Sequence, residues 1–293
     1  MKTQPFAVTW IGLLLWIQSV VGQSPVAAPT STSVGISVPN VAAVQAEKIN
    51  PAVTTNASPV IPPALEQLTV ELDGGVTMEF VLIPAGEFRM GSIQNNPPVH
   101  TVLLTKPFYI GKYEVTQEQW LAVMRENRSH FNDPKRPVEN VSWEDCQKFL
   151  MTLNAKTNEQ RFSLPTEAQW EYACRAGRAD DDNFGNEDAV LDQSGWCLKN
   201  AAHMTHLVGG LQANDWGLYD MHGNVWEWCA DWFGAYDGGD EIDPTGPTTG
   251  WMRVLRGGSW CNYATSCRCA NRGFYPPTTR NRYCGFRVVV DLD

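Results

Sequence analysis

Residues 164–177 read Leu164-Pro165-Thr166-Glu167-Ala168-Gln169-Trp170-Glu171-Tyr172-Ala173-Cys174-Arg175-Ala176-Gly177, and this run sets how the rest of the chain is parsed. Thr166 followed three residues later by Gln169 is a capping box: hydroxyl and amide each satisfy a backbone N–H that the first helical turn leaves unpaired. Trp170, Ala173 and Cys174 then recur at helical spacing and predict one buried face, with Gly177 as the C-terminal stop. The same device starts two upstream helices, at Thr116 with Gln119 and at Ser142 with Asp145. In the second of these Cys146, Phe149, Leu150 and Leu153 fall on the inner face. Further upstream Thr69-Val70-Glu71-Leu72, the turn Asp73-Gly74-Gly75 and the run Met78 to Ile83 predict a hairpin. Phe88 to Met90 and Phe108 to Val115 predict two more strands. Beyond Gly177 periodicity fades into Gly, Asn, Asp, Trp and Arg until a closing strand at Phe286 to Val290. About a hundred residues of that kind in a compact domain point to functional or stapled loops. The fold class is an irregular α+β, with strands and helices first and loops afterwards.

Composition narrows the partners. An apolar fraction of 43% and twelve Trp provide for a substantial core. The net charge of −10 lacks the clustered basic surface that phosphate neutralisation requires, so nucleic acid is excluded as a partner. After Lys199 every basic residue of the Lys/Arg class is Arg, including Arg253, Arg256, Arg268, Arg272, Arg280, Arg282 and Arg287. Internal ion pairs with carboxylates are the expected use of that planar fork. Residues 1–22 read as a signal peptide, with Lys2 ahead of an apolar run and small residues at Val20-Val21-Gly22. The mature chain is expected to be exported to a periplasmic, extracellular or secretory-lumen space, without a stable membrane span. Residues 23–67 are rich in Ser, Thr, Pro and Ala, carry no aromatic residue and read as a disordered linker; residues 68–293 read as the folded domain. Eight cysteines, all in that domain, suit an oxidising compartment, although sequence alone fixes no pairing.

A series of motifs runs through the domain in order. It begins with Ile83-Pro84-Ala85-Gly86-Glu87-Phe88, Met90-Gly91-Ser92 and Tyr113-Glu114-Val115-Thr116, followed by Pro137-Val138 and Val141-Ser142-Trp143. It continues through Leu164-Pro165-Thr166-Glu167-Ala168, Gly217-Leu218-Tyr219-Asp220-Met221 and Gly223-Asn224-Val225-Trp226-Glu227-Trp228, and closes with Arg256-Gly257-Gly258-Ser259-Trp260 and Gly285-Phe286-Arg287. The series resembles the formylglycine-generating enzyme (sulfatase-modifying factor) family over residues 68 to 291. That resemblance implies a C-type-lectin-like fold with little regular structure and a loop-built site. It also implies an activity, oxidation of a sulfatase cysteine to formylglycine with molecular oxygen and copper held by two cysteines.

Carried over residue by residue, the resemblance assigns Cys261 and Cys267 to copper and catalysis, with Ser259 and Trp226 lining the same cavity. The spacing departs from the family's. Cys261 lies two residues after Ser259 and Cys267 six beyond Cys261, so counting from Ser259 puts Asn262 where the first catalytic cysteine belongs. The displacement favours a non-oxidase relative that serves as a binding or accessory module for a protein or glycan, with a sulfatase-type polypeptide among the candidates; the alternative is an active oxidase using Cys261 and Cys267. The resemblance further implies a calcium site at Asp220, the carbonyls of Gly223 and Val225, and Glu227, whose oxygen donors suit that ion. It implies a disulfide between Cys174 and Cys269, and a second between Cys146 and Cys284. His203 and His206 have a metal-like spacing near His222, but no helix holds the first two on one face, and they read as hydrogen-bonded histidines.

Overall fold

In the computed structural model the described residues are 65–93, 96–157, 161–178 and 192–292, all within one compact unit, Pro59–Asp293. The expected signal peptide and nearly all of the expected linker lie outside the described residues.

The hairpin forms as read. Strand β1 (Gln67–Glu71) pairs antiparallel with β2 (Thr77–Ile83) across a 3-10 turn at Asp73–Gly75. The folded part reaches at least to Glu66, upstream of residue 68: Leu82 N–H donates to the Glu66 carbonyl, and the Tyr109 hydroxyl donates to Glu66 Oε1 at 3.0 Å. Strand β3 (Gly86–Ser92) pairs with β4 (Asn96–Leu104), and β5 (Phe108–Gly111) returns to β2. Helices α1 (Gln117–Met124), α2 (Trp143–Thr157) and α3 (Glu167–Arg175) start where the capping signals put them. In α1 and α3 both reciprocal hydrogen bonds of the box are present; at α2 Ser142 and Asp145 make the equivalent pair. The stop of α3 comes one residue sooner than expected, with Ala176 at φ +50° as the left-handed cap and Gly177 following at +80°.

The closing strand β14 (Val289–Asp291) lies between β5 and β6 (Phe162–Ser163), giving a five-stranded sheet in the order β1-β2-β5-β14-β6. The end of the domain is thus hydrogen-bonded into the same sheet as its beginning. The loop-rich half holds more sheet than its sequence announces. Beyond the short parallel pair β7 (Gly195–Trp196) and β8 (His222–Gly223), strand β9 (Trp226–Trp232) is the centre of a four-stranded sheet. A two-residue strand, β10 (Glu241–Ile242), joins β4 in parallel. Strand β11 (Arg253–Arg256) lies between β9 and β12 (Arg272–Tyr275), while β13 (Cys284–Gly285) runs parallel to β9. Two apolar clusters fill the interior. One gathers Trp120, Phe149, Trp228 and Phe286 beneath α1 and α2; the other gathers Ile83, Ile110, Trp170 and Val254 beneath α3. Among the described residues no helix is long and apolar enough to cross a membrane.

Candidate functional site

Strand β11 is followed by Gly257 and Gly258, both left-handed at φ +93° and +75°. A Cβ at Gly258 would stand 2.6 Å from Cys267 Sγ and 2.8 Å from the Ser266 carbonyl, so only glycine lets the turn close on the 3-10 segment Ala264–Cys267. The turn delivers Ser259, fully buried, to the centre of a small polar cluster. The Ser259 hydroxyl donates to Asn262 Oδ1 at 2.6 Å, and Trp226 Nε1, at the start of β9, donates to the same oxygen at 2.9 Å. Cys261 Sγ lies 3.3 Å from Ser259 Oγ, and the Ser259 backbone N–H reaches Cys267 Sγ. The structure therefore brings all four sequence-predicted residues, Ser259, Trp226, Cys261 and Cys267, into one neighbourhood.

The two thiols are not equivalent there. Cys261 is partly exposed, whereas Cys267 is buried and packs against Cys197, to which sequence reading assigned no role. Burial first, and then the neighbouring Cys197, push the Cys267 thiol far above its ordinary range. Two soft sulfurs beside one serine are the right donor type for Cu(I). The position three residues after Ser259, however, carries the Asn262 carboxamide, whose oxygen is already bound by Ser259 and Trp226. A two-sulfur clamp at the oxidase positions does not fit these residues.

The residues expected at calcium form a different arrangement. Glu227 has both oxygens taken by Arg287, at 2.6 Å from Nε and 2.7 Å from Nη2, and Trp170 Nε1 donates to it at 2.8 Å. Asp220 accepts Gly209 N–H at 2.7 Å through Oδ2, while its Oδ1 is buried with no partner. Glu114, absent from the sequence-predicted set, accepts from Asn224 Nδ2 at 2.6 Å and Val225 N–H at 3.0 Å. Burial, then Asp220 and Glu227, hold Glu114 well above the usual carboxylate range; burial raises Asp220 to about 6. Three buried carboxylates thus share one guanidinium, Arg287. This charge balance would welcome a cation, but the set Asp220, Gly223, Val225 and Glu227 does not fit calcium as the side chains stand. Calcium takes six to eight converging oxygens, and Glu227 faces an arginine. The Glu114 signal was visible in the motif Tyr113-Glu114-Val115-Thr116; what it binds was not.

Cys174 and Cys269 do meet, within hydrogen-bonding reach, but the structure holds all eight cysteines as thiols. His222 joins them: its Nε2 is 3.8 Å from Cys174 Sγ, and its Nδ1 is 2.7 Å from the Cys267 carbonyl. Cys146 and Cys284 share the first apolar cluster, where burial, with Asp145 and Cys284 adding to it, pushes the Cys146 thiol up. His206 stacks on Trp196 with ring centroids 3.7 Å apart, and its Nε2 is 2.9 Å from the Ala201 carbonyl, so His206 is a packed and hydrogen-bonded histidine.

The late arginines pair with carboxylates or stack on rings of the chain itself, in the interior for Arg256, Arg272 and Arg287 and at the surface for Arg280. Arg256 reaches Glu171 and Glu167, Arg272 forks onto both Glu167 oxygens at 2.6 and 2.7 Å, and Arg280 forks onto Asp145 at 2.6 and 2.7 Å. Arg253 is sandwiched by indoles, 3.9 Å from the Trp143 centroid and 3.5 Å from that of Trp232. Part of this network opens onto a cleft of about 420 Å³ lined by Glu167, Asp231, Trp232, Tyr236 and Arg272. Burial, then Glu167, raises Asp231 to about 7. Sequence reading had no signal for the cleft, because its walls come from α3, β9, β12 and the loops on both sides of β10.

The description "Sulfatase-modifying factor enzyme 1-like domain" matches residues 71–292. The chain belongs to that family. It is 30% identical over 290 residues to the formylglycine-generating enzyme of Streptomyces coelicolor, covering 73% of this chain and 89% of that protein. It is 29% identical over 265 residues to the "Chaperone protein LppX" of Paenibacillus barcinonensis, covering 73% and 90% respectively. Among solved structures, Treponema denticola variable protein 1 superposes with a TM-score of 0.73 at 33% identity, over 76% of this chain and 98% of that one. The matched relatives thus carry the names of a formylglycine-generating enzyme, a chaperone protein and a variable protein, and the last of these shares the fold of this chain.

Proposed function

We propose that this sulfatase-modifying-factor-like domain is an exported, non-oxidase accessory module that binds a polypeptide. The observation that carries the reading is Asn262. The residue in register with the first oxidase cysteine is an amide whose oxygen is bonded to Ser259 and Trp226, so the cluster is a rigid hydrogen-bonded platform in place of an electron-transferring pair. Exposed aromatic surface next to it supports a binding role. Tyr263, one residue after Asn262, is 74% exposed. Aromatic and arginine side chains are the usual anchors of recognition surfaces. The name of the LppX relative supports a polypeptide as the partner in preference to a glycan.

The mature protein is to be incubated with copper, oxygen, reductant and a peptide bearing a Cys-x-Pro-x-Arg sequence, with the peptide followed by mass spectrometry. No aldehyde is expected. Aldehyde whose formation is lost on both Cys261→Ser and Cys267→Ser would establish the alternative, a copper-dependent oxidase, and end the accessory reading. In parallel, fluorescence anisotropy of labelled unstructured peptides should report binding without copper that weakens on Tyr263→Ala. Binding to oligosaccharides and not to peptides would redirect the reading to a glycan.

A further inference from the structure

Outside the Ser259 cluster, one group of side chains converges for a purpose that neither the fold nor the proposed function uses. Cys174 on α3, His222 on β8 and Cys269 just after the Ala264–Cys267 turn are all buried, and one ligating atom from each lies within 4.8 Å of the other two. From this we infer that Cys174, His222 and Cys269 form a binding site for a single thiophilic d10 metal ion, with zinc(II) as the ion whose geometry it suits.

The spacing agrees with coordination. Zn–S bonds of about 2.3 Å and Zn–N bonds of about 2.0 Å at tetrahedral angles separate sulfur from nitrogen by about 3.5 Å and two sulfurs by about 3.8 Å. Cys174 Sγ and His222 Nε2 are 3.8 Å apart. The imidazole is also set in the required tautomer. The Cys267 carbonyl can only accept, so the 2.7 Å contact places the proton on His222 Nδ1 and leaves the Nε2 lone pair facing the sulfurs. A ligating histidine is commonly oriented in this way by a carbonyl behind it. Binding would convert both thiols to thiolates, release their two protons to solvent, and yield a neutral site as zinc(II) offsets two sulfur charges. The ion would join α3, β8 and the segment after β11 at one point, a junction that a disulfide between Cys174 and Cys269 would make differently and without His222.

The full mature chain, fully reduced under anaerobic conditions, is to be dialysed against zinc(II), freed of loose metal and analysed for zinc per chain. Cobalt(II) replaces zinc in a second sample, read for sulfur-to-cobalt charge-transfer absorption. One equivalent of zinc is expected in the wild type, with the charge-transfer band present, weaker in Cys269→Ser and absent when Cys174 is also changed to Ser. His222→Gln should lower zinc affinity while leaving the circular dichroism spectrum of the chain unchanged. No zinc retained by the reduced wild type, or full occupancy in the double cysteine variant, overturns the site. So does peptide mapping of protein recovered from an oxidising secretory host that finds Cys174 linked to Cys269 quantitatively.

Discussion

Gly258 leaves no room for a methyl group, because its Cβ would sit inside the contact distance of both Cys267 Sγ and the Ser266 carbonyl at a left-handed φ. Gly258→Ala should destabilise the domain by about 1–3 kcal/mol from backbone strain alone. Pushing Cys267 off its seat should also make that thiol react faster with a maleimide in the folded state, so urea denaturation and labelling rates check the two effects separately. Arg287 is a sharper case. Its guanidinium neutralises Glu227 with two short hydrogen bonds and donates to the Gly111 and Tyr219 carbonyls, all in the interior. Arg287→Leu leaves a buried carboxylate uncompensated and should cost about 3–5 kcal/mol. Arg287→Lys should restore little of it, because an ammonium cannot span both oxygens in one plane. Denaturant midpoints of the two variants decide this. These partners could not be read from the chain: the late arginines announced internal pairing, but Arg287 and Glu227 are sixty residues apart and nothing local selects one carboxylate over another.

Helices were the most legible elements, since a capping box is a bargain struck within four residues. Thr166→Ala removes the acceptor that Gln169 N–H uses and should lower stability by about 1 kcal/mol, measured as a shift in denaturant midpoint with unchanged slope. Strand β9 was not legible for the opposite reason. In Trp226–Trp232 five of seven residues are buried, including neighbours that point to opposite faces, so no alternation marks it as a strand. Its partners β11, β12 and β13 are short and lie between turns, and only their pairing with β9 makes them strands. Strand β4 escaped notice as well, although its register with β3 from Gly86 to Met90 is regular.

Buried charge gives the whole molecule a pH response. Asp231 is raised to about 7 from 3.8, chiefly by burial and then by Glu167. Its folded state therefore holds the proton more tightly than the unfolded chain does. The associated stability is fully present below pH 3.8 and is lost as the pH rises through about 7. Burial raises Glu139 to about 7 as well and gives a contribution of the same sign. Asp145 works the other way: held near 2 chiefly by the Arg280 fork and Ser142 against an opposing burial effect, it adds stability above pH 3.8 that is lost as the pH falls through about 2. Asp231→Asn keeps an acceptor for Glu167 N–H while removing the buried charge. The variant should lose less stability than the wild type between pH 5 and pH 8. Melting temperatures across that range provide the comparison, and equal slopes for the two proteins would refute the assignment.

By itself the sequence determined the family, the three capped helices, the first hairpin and the internal use of its arginines, because each rests on residues close together in the chain or on an ordered set of motifs. Tertiary structure alone decided that Asn262 stands between Ser259 and Trp226, that Glu227 meets an arginine, that Cys267 faces Cys197, and that His222 turns toward Cys174 and Cys269. Each of those depends on loops from distant parts of the chain closing at one point, and in such loops a displacement of one residue redirects a side chain to a different partner.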